Sequence, residues 1–400
     1  MARFSGQITL GFASLAHAFA HLFILLYATV AVALERDWGI SFDSLIALSV
    51  PGAVMFGLAA LPAGWLGDRW SASGMMAVFF LGIGLAAGAT GFATGPVGLL
   101  IGLTALGTVA AIYHPVGIPW LVRHAVNRGR ALGLNGVFGS LGTASAAIIA
   151  GELTDLLGWR FAFWIPAGVA LLVGAAFIAA IASGLIHEAK EDAAPAPEPE
   201  RHDIKRAFLV LGVTTLCVGI VFQSLSFALP KIIDEQIGDY FGGGIAQVGR
   251  LVTLAYLISA LSQIVGGELA HRFPLRRVYF WALAVQAPAL ILGTLVAGPA
   301  FVPVAVLFVS LNVLGQPSEN ALLARYTPPA WRGRVFGLKF VLTLGAGSAG
   351  VALVPVIYHA TGSMTALLAL LAGIVAIAGI AAWHLPRESA TSGPAPVAAE

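Results

Sequence analysis

Charge is scarce in this chain. Its 400 residues hold 21 Lys and Arg against 19 Asp and Glu, so charged side chains make up 10% of the whole. A soluble globular protein carries roughly 25%, and a nucleic-acid binder gathers cationic charge on one face. The shortage excludes both, and it also excludes a disordered chain, which needs high polarity to stay unfolded. A net charge of +2 points to no charged partner. Cysteine is scarcer still: Cys217 stands alone, which excludes a disulfide framework and a cysteine-based metal cage. The Walker-type glycine loop that would cradle ATP phosphates is also missing.

Hydrocarbon fills the space that charge leaves. Apolar residues make up 58% of the chain, and 48 glycines come on top of them. One soluble core cannot hide that much, because the buried fraction grows only slowly with size. A helix needs about 20 predominantly apolar residues to cross a bilayer. The first such stretch runs from Ile8 to Leu34 without a Lys, Arg, Asp or Glu. It exceeds the apolar region of about 7–15 residues in a signal peptide, so it predicts a retained span. Eleven more follow near 43–66, 75–93, 97–122, 131–153, 161–186, 207–230, 246–270, 277–297, 300–324, 335–358 and 363–385. The expected fold is an all-α polytopic membrane protein with 12 transmembrane helices in two six-helix bundles.

A polar stretch from His187 to Arg206, carrying Pro195, Pro197 and Pro199, lacks apolar periodicity and reads as a linker. It divides a first bundle (1–186) from a second (207–385), with 386–400 a disordered tail. Cytoplasmic loops collect Lys and Arg. Placing the N-terminus inside puts 16 of the 21 on that side, leaving Arg36, Arg160, Lys231 and Arg250 outside and Lys339 within a span. Both termini and the linker are therefore expected in the cytoplasm, with the chain in a plasma (inner) membrane.

The halves repeat each other. Gly64-Trp-Leu66-Gly-Asp68-Arg69 follows span 2 and Gly267-Glu-Leu269-Ala-His271-Arg272 follows span 8, an offset of 203. Arg128-Gly-Arg130 and Arg332-Gly-Arg334 open spans 5 and 11 at an offset of 204, and Pro115 with Arg123 matches Pro317 with Arg325 at 202. Three correspondences this close indicate a duplicated six-span unit, the parallel repeat of one transporter class.

On these motifs the chain resembles a major facilitator superfamily transporter over essentially its whole length. Within that superfamily it is most similar to the fosmidomycin-resistance-like branch, through Ala16-His17-Ala-Phe-Ala-His21 and Tyr113-His114-Pro115, although that branch usually has Asp where His21 stands. The resemblance implies that Asp68, with Arg69, latches one conformation by accepting N–H bonds from a neighbouring helix N-terminus. Gly64 and Leu66, and Gly267, His271 and Arg272 in the second copy, complete the gating motif. It also implies that spans 1, 4, 7 and 10 line a central cavity, making His17, His21, His114, Gln223, Gln316, Glu319 and Asn320 its candidate lining. A monomer and no cofactor are expected.

Ionisable residues inside a membrane are costly and mark function. His17 and His21, four apart, share a helical face, and histidine titrates near neutral pH. Such rings carry protons, bind an anion when charged, or simply pack as neutral rings bonded to a backbone carbonyl. They also make a competent metal pair, but the sequence offers it no convincing third ligand. Glu319 is the one carboxylate well inside a span, and Lys339 lies about one turn into span 11. Together they read as a protonation site and its neutralising or anion-binding partner; the plainer alternative is a hydrogen-bonded carboxyl and a Lys reaching for the interface. Gly133, Gly136, Gly139 and Gly142 in span 5, with Gly345, Gly347 and Gly350 in span 11, predict close helix packing. The expected function is secondary active transport of a small organic anion by alternating access, as proton-coupled efflux. An importer or uniporter of the same fold is the alternative, and an intramembrane metal-dependent enzyme is the reading from a different class.

Overall fold

The computed structural model describes residues 2–125, 127–186, 204–242, 244–328 and 331–386. These residues form helices joined by short turns, with no strand among them. Among the described residues, twelve helices are long and apolar enough to cross a membrane. They are α1 (Gly6–Trp38), α2 (Phe42–Arg69), α3 (Ala72–Gly91), α4 (Pro96–His124), α5 (Arg128–Leu157) and α6 (Phe161–Ala182), then α7 (Ile204–Tyr240), α8 (Ile245–Arg272), α9 (Leu275–Leu295), α10 (Gly298–Tyr326), α11 (Val335–Thr361) and α12 (Met364–Trp383). Most of the linker expected at 187–206 and almost all of the tail expected at 386–400 lie outside the described residues. At the linker's end, Ile204, Lys205 and Arg206 already belong to α7.

Helix ends follow local chemistry where turns are tight. Ser71 accepts from Gly74 N at 2.9 Å to open α3, and Asn127 accepts from Arg130 N at 2.9 Å to open α5, both side-chain caps on otherwise orphaned N–H groups. The helix surface is apolar outward: Leu85, Ile101, Leu172, Leu261 and Leu295 are all exposed, as a lipid-facing surface requires and an aqueous one does not tolerate.

The two sets of six helices pack alike. In the first, α1 lies on α5, α3 on α4 and α6, and α2 on α4; in the second, α7 lies on α11, α9 on α10 and α12, and α8 on α10. This is the packing counterpart of the repeated motifs. Across the halves, α5 packs on α8 and α2 on α11, two contacts that exchange with one another under the same repeat.

Missing side chains allow both cross-half contacts. A Cβ on Gly57 of α2 would lie 2.0 Å from the Gly345 Cα of α11, and one on Gly249 of α8 would lie 2.3 Å from the Ala147 carbonyl oxygen of α5. The glycine stripe of α5 serves two ends: Gly139 and Gly142 press on His17 and Ala18 of α1, whereas Gly133 and Gly136 meet open space.

Three span boundaries differ from the sequence reading. Gly64–Arg69 and Gly267–Arg272 are the last turns of α2 and α8 rather than loops after them. Lys231, expected in an outer loop, sits inside α7 and is only 7% exposed. In each case the helix continues past the end of its apolar run because polar side chains at that depth find partners or water.

Filling the α2–α11 contact should unlock it. Overpacking costs about 1–3 kcal/mol, which confined to one conformation shifts its population by roughly 5–150-fold. Gly57→Val is expected to raise the alkylation rate of Thr253→Cys, a site buried between α5 and α8, in a Cys217→Ser background. An unchanged rate would mean that the Gly57 contact does not hold this state.

Candidate functional site

A cavity of about 530 Å³ lies between the halves. It runs from mid-membrane to the face where α1 begins and α12 ends, here the near face. Seven helices line it rather than the four expected: α1, α4, α7 and α10 are joined by α5, α8 and α11. His17, His21, His114, Gln316, Glu319, Asn320 and Lys339 all stand on its wall. Gln223 does not. It is buried on α7, away from the cavity lining, with its Nε2 unpartnered among the described residues.

The second-half wall holds a charged centre. Glu319 is 3% exposed and Lys339 13%, and the Lys339 Nζ lies 3.3 Å from a Glu319 carboxylate oxygen. The Thr215 hydroxyl donates to that same oxygen at 2.6 Å, and Lys339 donates to Asn320 Oδ1 at 2.6 Å. Neither charge is therefore isolated in the low-dielectric interior, where an unpaired one is strongly disfavoured. Gln263 donates to Gln316 across 3.3 Å nearby. Thr215 escaped the sequence reading because a lone Thr in an apolar helix carries no pattern.

The first-half wall holds the histidines. Ring centroids lie 5.1 Å apart for His17 and His21, 5.3 Å for His17 and His114, and 5.5 Å for His21 and His114. The α4 helix opens into a wide π-turn at Tyr113–Gly117. Pro115 within it lacks an N–H and crowds the preceding turn, and this irregular turn carries His114. His17 Nδ1 lies 2.8 Å from the Asn135 backbone oxygen, which can only accept, so the ring proton is on Nδ1 and the lone pair on Nε2. The Tyr113 hydroxyl donates to Asn135 Oδ1 at 2.8 Å and its ring stacks on His17 at 4.8 Å. Phe340, from a second wide turn's edge on α11, stacks on His114 at 4.9 Å from the other half. His114 thus supplies the third imidazole that the sequence spacing lacked; it comes from a different helix, nearly a hundred residues on.

The opposite, far face is closed, and charge closes it. Arg36 pairs with Asp234, Lys231 with Glu35 at 2.6 Å, Arg250 with Glu152 at 2.6 Å and His359 with Asp43 at 2.9 Å, each pair joining the two halves. Asp155, at the end of α5, accepts from Ile245 N at 3.3 Å and Ala246 N at 2.8 Å, the first N–H groups of α8. A carboxylate on the positive end of a helix is the latch chemistry the sequence suggested for Asp68. In this conformation Asp155 makes it, on the far face. Asp68 is exposed on the near face and makes no hydrogen bond or ion pair among the described residues, while Arg69 lies over the Trp65 ring at 5.1 Å. In the second copy Arg272 pairs with Glu268 at 2.6 Å and His271 is exposed.

Known proteins resemble this chain in sequence or in fold. The chain is 24% identical over 363 residues to the uncharacterized MFS-type transporter YfnC of Bacillus subtilis (strain 168), covering 89% of this chain and 87% of that one. It is 32% identical over 160 residues to the puromycin resistance protein pur8 of Streptomyces alboniger, covering 38% and 32%. A crystal structure of the peptide transporter POT in complex with sulfate superposes with a TM-score of 0.73 at 15% identity, over 94% of this chain and 93% of that one. An inward-facing, unoccupied bacterial homolog of the human lysosomal transporter Spinster superposes at 0.70 with 14% identity, over 95% of each. These structural likenesses speak for the fold. The sequence profile of the Major Facilitator Superfamily matches residues 13–238 and again 211–400, and the chain, an integral membrane protein built as a doubled six-helix unit around a central cavity, belongs to that family of transporters.

Proposed function

We propose that this protein is a secondary active transporter, working as a monomer in the plasma (inner) membrane, that moves a small organic anion by proton-coupled alternating access. Both termini are read as cytoplasmic, and the branch nearest in motif is the fosmidomycin-resistance-like one. The observation that carries the reading is the Glu319–Lys339 pair on the cavity wall, at 3.3 Å. A proton on Glu319 removes its charge and leaves Lys339 without a counter-ion; a solute anion then restores neutrality. Proton and anion each favour the other's binding, a reciprocal coupling. Rocking of the halves about the central site, which parts the far-face contacts while Asp68 engages as the near face closes, would carry both across.

Direction follows from which species share the site. The opening of the cavity on the near face, cytoplasmic by its Lys and Arg bias, supports export, as does a relative named for puromycin resistance. The ion pair supports uptake, because a proton and an anion that occupy the cavity together travel together down an inward proton gradient. Export against that gradient requires a solute that competes with the proton for Glu319, which suits an amine and not an anion. For an anionic solute, the geometry favours uptake.

Proteoliposomes separate these cases. Glu319→Gln is expected to abolish accumulation driven by a pH gradient while solute exchange at equal pH persists; a full response to the gradient in this variant would overturn proton coupling through Glu319. Lys339→Gln removes a charge-assisted contact of about 1.5–3 kcal/mol, so anion binding should weaken roughly 10–100-fold, read as a rise in the half-saturating concentration for exchange. An unaltered value would place the anion elsewhere. Asp68→Asn disturbs nothing that Asp68 touches in this conformation. Normal expression and melting temperature with transport cut to about a tenth or less, a loss of roughly 1.4 kcal/mol or more in the cycle, is the expected result; wild-type transport would remove Asp68 from the gate.

A further inference from the structure

We propose that His17, His21 and His114 form a binding site for one divalent transition-metal cation of the zinc type, at the deep end of the cavity. Each ring offers one nitrogen such that all three lie within 4.8 Å of one another. A tetrahedral ion with Zn–N of about 2.0–2.1 Å needs them roughly 3.3 Å apart, so binding would draw the imidazoles of His21 and His114 towards the Nε2 of His17.

Three features mark this as a ligand set rather than three packed rings. His114 is 6% exposed, yet neither of its ring nitrogens has a partner among the described residues, a state that buried polar groups avoid unless something is meant to occupy it. His17 is held from behind: its Nδ1–H donates to the Asn135 carbonyl, and Tyr113 fixes Asn135 in turn. That is the outer-shell support that orients metal-ligating histidines and raises the basicity of the free nitrogen. Gly139 leaves room for the ring, since a Cβ there would stand 2.5 Å from it. The donor set is imidazole alone, which suits zinc, cobalt, nickel and copper and not magnesium or calcium.

Three protein ligands leave a fourth position open. His17 and His21 line the cavity, so that position is reachable by an anionic oxygen of the solute. This last step rests on the anion reading above; the site itself does not.

Cobalt(II) is the probe, titrated into purified protein carrying a non-histidine affinity tag in detergent at neutral pH. One equivalent should bind, with the intense visible absorption of a tetrahedral nitrogen-ligated ion, and zinc should displace it. Loss of an outer-shell partner costs roughly 10–100-fold in affinity, so His114→Ala or His21→Ala, each removing a ligand, should weaken binding by more than that. His21→Ala keeps the test informative if His114→Ala fails to elute as a single species. Glu319→Gln should bind cobalt as the parent does, which separates this site from the proton-coupling reading. Sub-stoichiometric binding in the parent, or binding unchanged in His21→Ala, would overturn the proposal.

Discussion

A charged side chain in hydrocarbon must have a partner, and the geometry of this protein can be read from which partner each charge has chosen. The pairs fall into two kinds. Those joining the halves, Arg36 with Asp234, Lys231 with Glu35, Arg250 with Glu152 and His359 with Asp43, all lie at the far face. The pair of Glu319 with Lys339, supported by Thr215, lies wholly within the second half. Rocking the halves apart breaks every pair of the first kind and none of the second. The far-face contacts and the cavity pair therefore share no residue.

The histidines obey the same division. His17, His21 and His114 belong to α1 and α4, so the first half carries its own polar centre as the second carries Glu319 and Lys339. Each centre is built from helices of its own half, so movement of one half against the other would change the distance between them. The close backbone approaches of Gly57 to Gly345 and of Gly249 to Ala147 set how near they come in this state. Small residues matter here because lipid provides no hydrophobic drive for helix association, and packing must come from proximity.

Much of this was legible in the sequence. The number of spans follows from the length of apolar runs, and the doubling from motifs that recur at offsets of 202 to 204. Isolated polar residues within apolar runs pointed to the cavity, since His21, His114, Glu319 and Lys339 could hardly face lipid. Gln223 shows where that inference fails: being polar in a span fixes depth but not helical phase, and its phase turns it into the packed interior. The latch on α8 was invisible for another reason. Asp155 and Ile245 are ninety residues apart, and nothing local distinguishes an aspartate that will cap another helix from one that meets water. Polarity marks the ends of the apolar runs near 66 and 270, whereas α2 and α8 continue into the interface as far as their backbone bonds do, to Arg69 and Arg272.

The far-face seal also bears on the speed of the cycle. Its carboxylates, guanidinium groups and the freed N–H groups of α8 are all species that water solvates well, so each bond given up on opening is replaced by one to solvent. The most open of them, Arg250 with Glu152, is worth about 0–1 kcal/mol, whereas Lys231, buried against Glu35, costs more to release. On the transport reading proposed above, a fastening that grades from solvent-exchangeable to buried lets its outer pairs part first and leaves the contact of Lys231 with Glu35 as the one that holds the far face shut.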